Sequence, residues 1–486
     1  MTLRRAQPFF DRDLELADIE TALKSKRPEL RIIYGRRGAG KSALFTHGLA
    51  SRRHFSYTCT ERVLPIQLAD MQRALNDFSP NAVVGSLATF DRFLDALAAL
   101  ASANRKQPLI VVIDELPYLA KADSGVVTEL QRWFNIQKRA GANNLKVFLL
   151  GSMVSWMREQ ALSDTAALKS VRTGQLPVHP LGYRHAAGFY STLSPADKVR
   201  AFGVWGGLPG VLAELTKGRP LWANVEATTL TKGGKLYDEP DWLQYTDLRD
   251  NKLYSSMIRA VASGRRRPSE IADEVRSPEA SQASQLQPYL ERLRDAQILE
   301  RRTPMLSTGE RPRSSLYYVS DQFLSYWYRF VDPERSALDR GQRARPLARI
   351  KAGLDKYVSE DPFESVSRAY LWDALADRRL PKGLEFDRVG AWWSGRGEPQ
   401  DEADVVAYAD KELVLVGECK WTSSVANEND LHGLDKILRD FASELAPSSS
   451  VWRAIFSRGG FHPKLQARAK NRSERILLIE PADLYW

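Results

Sequence analysis

Three short stretches of this chain carry residue types that could do chemistry. The run "LVLVGECKW", residues 413–421, sets Glu418 and Lys420 two positions apart at the end of an apolar segment. Alternate side chains of a strand share one face, so the acid and the base point into one place. Burying such a pair is costly unless the two groups pair with each other or serve a ligand. The run "GRRGAGKS", residues 35–42, fits the spacing G-x-x-x-x-G-K-[ST]. Its glycines let backbone N–H groups wrap around phosphates, Lys41 reaches the β- and γ-phosphates, and the Ser42 hydroxyl suits Mg²⁺. The expected nucleotide-binding set is Gly35, Gly38, Gly40, Lys41, Ser42 and Ala43. The third run, "IVVIDEL", residues 110–116, ends in Asp114 and Glu115. Asp114 would hold Mg²⁺, directly or through water, and Glu115 would polarise the water that attacks a γ-phosphate.

Positioning these groups requires particular elements. "RIIYGRRGAGKSALF" reads as a strand, a glycine-rich turn and the start of a helix. "PLIVVIDELPYL" is apolar throughout its strand, as a central parallel strand buried on both faces must be. A further apolar run, "LKVFLLGSM", ends in Gly151 and Ser152, and Ser152 stands where a polar γ-phosphate sensor is expected. Arg172, in "SVRTGQLPVHPL", is a candidate sensor or trans-acting arginine. From Tyr254 the pattern changes. Two short helical patterns, the second with Ser269 as its expected N-cap, lead into a longer one striped by Leu286, Leu290, Leu293 and Ile298. Two strands around a polar loop follow. Three helices and a β-wing make a winged helix-turn-helix. Arg265, Arg266 and Arg267, with Arg301, Arg302, Arg311 and Arg313 flanking the wing, suit phosphate contacts. Residues 251–320 hold twelve Lys/Arg against eight Asp/Glu, only a mild excess, so an intramolecular or protein adaptor is an equal reading. The aromatic run "QFLSYWYRFVDP" reads as core packing. Near the end, "EADVVAYAD" and "KELVLVGECK" form a β-hairpin, with Asp404 on one strand and Glu418 and Lys420 on the other. Upstream, "DPFESVSRAYLWDAL" is an amphipathic helix with Glu364 in its first turn.

The bulk properties set the frame. A chain of 486 residues is too long for one core and calls for two to four domains. It is 43% hydrophobic and 27% charged, within the globular range. No apolar run is long enough to span a bilayer, and the N-terminus lacks an apolar signal core, so a cytoplasmic protein without a membrane partner is expected. Two cysteines exclude a disulfide framework. A net charge of +10 favours a polyanionic partner.

On these motifs the first part resembles the archaeal-type ATPases of the STAND/AAA+ superfamily. "FFDRDLEL" matches their opening F-x-G-R-x-x-E-L through Phe10, Arg12, Glu15 and Leu16, with Asp11 in place of the usual glycine, and the resemblance implies adenine contacts from Phe10 and Arg12. "GGLPGVL", residues 206–212, and "LYDEPDWLQYTDLRD", residues 236–250, are similar to the family's runs in and after a helical lid. The last stretch resembles the PD-(D/E)xK nuclease superfamily. That resemblance implies a restriction-endonuclease-like α/β domain in which Asp404 and Glu418 bind Mg²⁺ or Mn²⁺. Glu364 would add a ligand or position a water, and Lys420 would act on the water or the transition state. The fold class expected is α/β, in five segments: a P-loop ATPase domain (1–180), a helical lid (181–250), a winged helix (251–320), a helical connector (321–360) and a nuclease-like domain (361–486). The partners expected are ATP and nucleic acid, DNA before RNA, with a protein partner or further copies of the chain. The rival expectation is a signalling or scaffold ATPase that binds protein or nucleic acid and cuts nothing.

Overall fold

The computed structural model describes residues 9–83, 85–164, 166–238, 240, 252–276, 283–310, 314–394 and 401–486. Most of the 236–250 run, Arg311, Arg313 and the polar 395–400 stretch lie outside the described residues. The chain forms two compact units, Met1–Leu181 with Leu208–Gly210 and Asp295–Gln297, and Gly182–Gly207 with Val211–Arg294 and Ile298–Trp486. Apart from those two excursions, the four segments expected after residue 180 therefore lie in one compact unit. No described helix is long and apolar enough to cross a membrane.

The first unit is built on five strands, β1 (Glu29–Tyr34), β2 (Phe55–Thr58), β3 (Leu109–Asp114), β4 (Leu145–Gly151) and β5 (Gly174–Pro177). They lie in the order β2-β3-β4-β1-β5, and every pair is parallel. β3 and β4 are buried at every position, as the apolar runs required. Tyr34 pairs with Gly151 and Ile113 with Leu149, so the loops after β1, β3 and β4 leave the sheet at one edge.

In the second unit, helices Lys252–Ala262, Pro268–Val275 and Ala283–Asp295 precede an antiparallel pair, β6 (Leu299–Arg302) with β9 (Leu316–Val319). A small hairpin of β7 (Met305–Leu306) and β8 (Gly309–Glu310) lies between them in the chain. Two local expectations change. The middle helix is capped at Arg267, not Ser269, because Pro268 fits the first helical position and Glu270 accepts the N–H groups of Arg266 and Arg267, at 2.9 and 3.1 Å. The third helix passes through Pro288 and stops at Asp295; Gln297 turns the chain at φ 57°, so Ile298 is buried from outside the helical stripe. The aromatic run after β9 is core, with Phe323, Tyr326, Trp327 and Phe330 all buried.

Helices Ala344–Glu360 and Pro362–Ala376 lead to a second sheet of β10 (Arg388–Trp393), β11 (Glu402–Ala409), β12 (Glu412–Lys420), β13 (Pro447–Ser457) and β14 (Ile476–Ile479), in that order. β10, β11 and β12 pair antiparallel, while β12, β13 and β14 pair parallel. Parallel neighbours need a crossover. Helix Glu428–Asp440 lies between β12 and β13 in the chain, and helix Pro463–Lys470 between β13 and β14.

Candidate functional sites

At the shared edge of the first sheet, Gly38 and Gly40 take φ values of 81° and 91°, left-handed conformations that favour glycine. They wrap the loop so that Lys41 begins the next helix, Lys41–Gly48, and its ammonium donates to the carbonyls of Gly35 (2.7 Å) and Arg36 (3.2 Å). Ala43 is exposed on the first turn of that helix. The Ser42 hydroxyl donates to Asp114 Oδ2 at 2.9 Å, so the two residues expected at one cation already touch. Glu115 follows at φ 55°, a conformation that costs a non-glycine residue free energy and recurs at functional sites. Its Oε2 accepts from both the backbone N–H (3.0 Å) and the hydroxyl (2.7 Å) of Ser152. The acid expected to polarise water and the expected sensor are thus one hydrogen-bonded unit.

The expected base contacts come out differently. Arg12 is buried, pairs with Glu15 at 2.7 Å, and donates to the carbonyls of Ala39 (2.9 Å) and His179 (2.8 Å). Its guanidinium therefore ties the entering segment to the phosphate loop. Phe10 is half-buried, and its neighbour Phe9 stacks on His47 with ring centres 4.3 Å apart. Asp11 sits at φ 48°, which explains why the resembling proteins place glycine there; aspartate tolerates this region better than most residues. Arg172 lies at the far edge of the sheet: Thr173 N–H donates to the Leu30 carbonyl, at the start of β1, at 2.8 Å. The phosphate loop leaves the other end of the same strand, so a sensor contact from Arg172 within its own chain does not fit this geometry.

One contact escaped the sequence reading. Gly210, in "GGLPGVL", donates its N–H to the Gly38 carbonyl at 2.9 Å. A Cβ on Gly210 would stand 2.9 Å from Gly38 Cα, so the approach requires glycine. The motif was legible, but its target, far away in sequence, was not.

The second site gathers side chains from three elements. Val405 pairs with Gly417, which sets Asp404 beside Glu418 across the hairpin, and Asp404 Oδ2 accepts from the Cys419 N–H at 2.7 Å. Lys420 Nζ bridges Glu418 (3.2 Å) and Asp430 (3.1 Å). Asp430 was not anticipated. Its signal was the capping pattern Asn427-x-x-Asp430, in which its other oxygen accepts the Asn427 N–H at 2.8 Å. Arg368, one turn after Glu364, stands 3.4 Å from that carboxylate and donates to the Asp404 carbonyl at 2.8 Å. Burial raises Glu364 to about 7, with Arg368 opposing. Burial and then the nearby Glu364 and Glu418 push Asp404 well above the usual carboxylate range. Burial raises Glu418 too, against the pull of Lys420. Lys420 loses solvation, yet Glu418 and Asp430 hold its charge more firmly than usual. Among the described residues, no group of three or more His, Cys, Asp or Glu side chains is arranged to hold a metal ion.

The expected phosphate-contacting arginines are largely spent inside the unit. Arg302 pairs with Asp361 and lies over the Tyr318 ring, 3.8 Å from its centre. Burial works to raise Asp361, but Arg302 prevails and holds it at about 2. Arg266 donates to the Glu360 carbonyl at 3.0 Å and to Tyr318 at 3.0 Å. Arg301 donates to Ser315 at 2.7 Å, and Arg265 lies 3.4 Å from Glu274. The β6–β9 pair is therefore docked on the junction of helices Ala344–Glu360 and Pro362–Ala376.

Residues 9–215 match the family described as an ATPase domain predominantly from Archaea, and residues 327–432 match archaeal and bacterial proteins of unknown function. An uncharacterised protein of Methanocaldococcus jannaschii is 27% identical over 414 residues, 85% of this chain and 87% of its own. The Walker-type ATPase PABY2304 of Pyrococcus abyssi superimposes with a TM-score of 0.51 at 19% identity, over 67% of this chain and 99% of that one. The ORC2 protein of Aeropyrum pernix gives 0.44 at 14% identity, over 71% and 97%. The phosphate loop, the Asp114–Glu115–Ser152 unit and the family match over residues 9–215 agree: this chain binds ATP and is an ATPase.

Proposed function

We propose that the ATPase works on DNA, and that its second unit is a divalent-cation-dependent nuclease. The observation that carries this reading is the joining of Asp404, Glu418 and Lys420 in one cluster on a helix–three-strand–helix–strand layout with a mixed sheet. That layout supports a PD-(D/E)xK-like domain. In the first unit, Ser42 and Asp114 would hold Mg²⁺ while Lys41 meets the phosphates and Glu115, steadied by Ser152, orients water.

The donor set of the second site fits a hard cation. All its candidate ligands are carboxylate oxygens, and their mutual repulsion is of the kind a divalent cation relieves. Asp404 and Glu418 would hold Mg²⁺ or Mn²⁺, with water or backbone oxygen completing the shell, and Glu364 stands next in line. When bound, the ion would act as a Lewis acid at the phosphodiester. Lys420 keeps its proton between two acids, so in this arrangement it positions the reacting groups and stabilises developing negative charge.

Within this reading the three helices and β-wing form a winged helix that serves as an internal adaptor, since Arg266 and Arg302 hold it to the sheet-bearing part. A scaffold ATPase that cuts nothing is the alternative. The test is incubation of the full chain with labelled DNA, single-stranded and plasmid, with and without Mg²⁺ or Mn²⁺. Cleavage that needs the ion and disappears in Lys420→Ala is expected; none on any DNA would leave the scaffold reading.

A further inference from the structure

Beside the carboxylates lies a cavity of about 620 Å³, the volume of a sphere roughly 11 Å across. Glu364, Glu402 and Asp404 line it, but Glu418 and Lys420 do not, so Asp404 belongs both to the cavity and to the lysine cluster. Its other walls come from the segment before helix Pro268–Val275, from β6, β9 and β10, from the segment Trp327–Val331 and from the end of helix Ala344–Glu360. These walls bring cations. Arg266 and Arg302 are engaged in docking the β-pair, and Arg329 is bonded to Glu360. Arg267 stands 3.9 Å from the half-buried Glu270. Lys356 is exposed and has no ion-pair partner among the described residues.

The size of the cavity limits what it can enclose. The major groove of B-DNA alone is about 12 Å wide, so an intact duplex does not enter. One strand with its bases unstacked does, and cationic walls that follow the backbone are how single strands are held. Among the described residues, Arg301 and Arg302 of the β-pair and Arg266 beside it are bonded to protein and are not turned toward a duplex. We infer that the second unit takes single-stranded DNA: an unpaired strand or frayed end enters this cavity, with Lys356 and Arg267 on its phosphates, and is led to Asp404. The inference rests on the nuclease reading for its purpose, but the binding preference stands on the cavity.

Fluorescence anisotropy of a labelled DNA single strand, on the full chain in EDTA, separates binding from cleavage. Unlabelled single strand should compete at least tenfold better than closed plasmid duplex. Lys356→Ala should weaken single-strand binding several-fold, and Ser359→Trp, which fills the cavity, should abolish the preference. Both variants should keep ATP binding and the wild-type melting temperature. Equal competition by closed duplex, or wild-type binding in both variants, overturns the inference. With Mn²⁺ added, duplex cut as fast as single strand would overturn this inference and leave the nuclease reading intact. A retained single-strand preference without any cutting would support the inference and remove the nuclease reading.

Discussion

The two sites of this molecule are made in opposite ways. The ATP site is a backbone construction: an unbroken stretch from Gly35 to Ser42 wraps itself, and Asp114, Glu115 and Ser152 arrive at the ends of adjacent parallel strands. The acidic site is a side-chain construction, with Glu364, Asp404, Glu418 and Asp430 brought together from separate elements. In the first, the sheet edge places everything, and single side chains then do the chemistry. In the second, like charges are forced together, and ion pairs around them hold the arrangement.

The sharpest break of that contrast is at Glu115. Glu115→Gln should leave ATP bound and lower single-turnover phosphate release by about a hundredfold or more, the scale of losing a general base. Release at the wild-type rate would reduce Glu115 to a partner of Ser152. Next is the ion pair beneath the acidic site. Arg302→Ala leaves Asp361 charged and buried without its main partner, a loss on the order of 3 kcal/mol. A calorimetric melt should show the second unit destabilised while ATP affinity persists; equal loss of both would mean the sites are not built independently.

The third test uses protons. Glu364 in the folded chain keeps its proton to about 7 against an ordinary 4.5. Between those values the folded state binds more protons than the unfolded one, so metal-free stability is full below about pH 4.5 and falls as pH rises through 7. That fall is up to about 3 kcal/mol for this group by linkage. Glu364→Gln should flatten the slope in melts taken across that range, and an unchanged slope would remove the account of Glu364 as a carboxyl raised by burial. The smallest effect is expected at Gly210, where Ala must push against Gly38. ATP affinity should fall by about tenfold, read by equilibrium binding; an unchanged affinity would make the 208–210 excursion incidental.

The same contrast governs what the sequence made legible. The phosphate loop and the Asp114–Glu115 pair could be read because their chemistry is local, each on one short stretch. Glu418 and Lys420 could be read because a strand's two-residue period fixes a shared face. Asp430 and Arg368 were not, since each acts on a partner from another element, although a capping pattern and an i,i+4 pair marked them. The arginines around the wing were legible as charge but not as use. Arg266 and Arg302 point to Glu360 and Asp361, about a hundred and about sixty residues on, and pattern alone does not tell an internal ion pair from a phosphate contact.

The claim that the acidic site is a metal-dependent nuclease centre meets its most direct test in calorimetric titration of Mn²⁺. Wild type, Asp404→Ala, Glu418→Ala and Lys420→Ala would be compared beside cleavage of single-stranded and plasmid DNA. The account predicts that either carboxylate variant loses the ion and the cleavage, while Lys420→Ala keeps the ion and loses only the cleavage. A wild-type chain that binds no divalent ion even with DNA present would contradict it, leaving Glu418 and Lys420 as a structural ion pair.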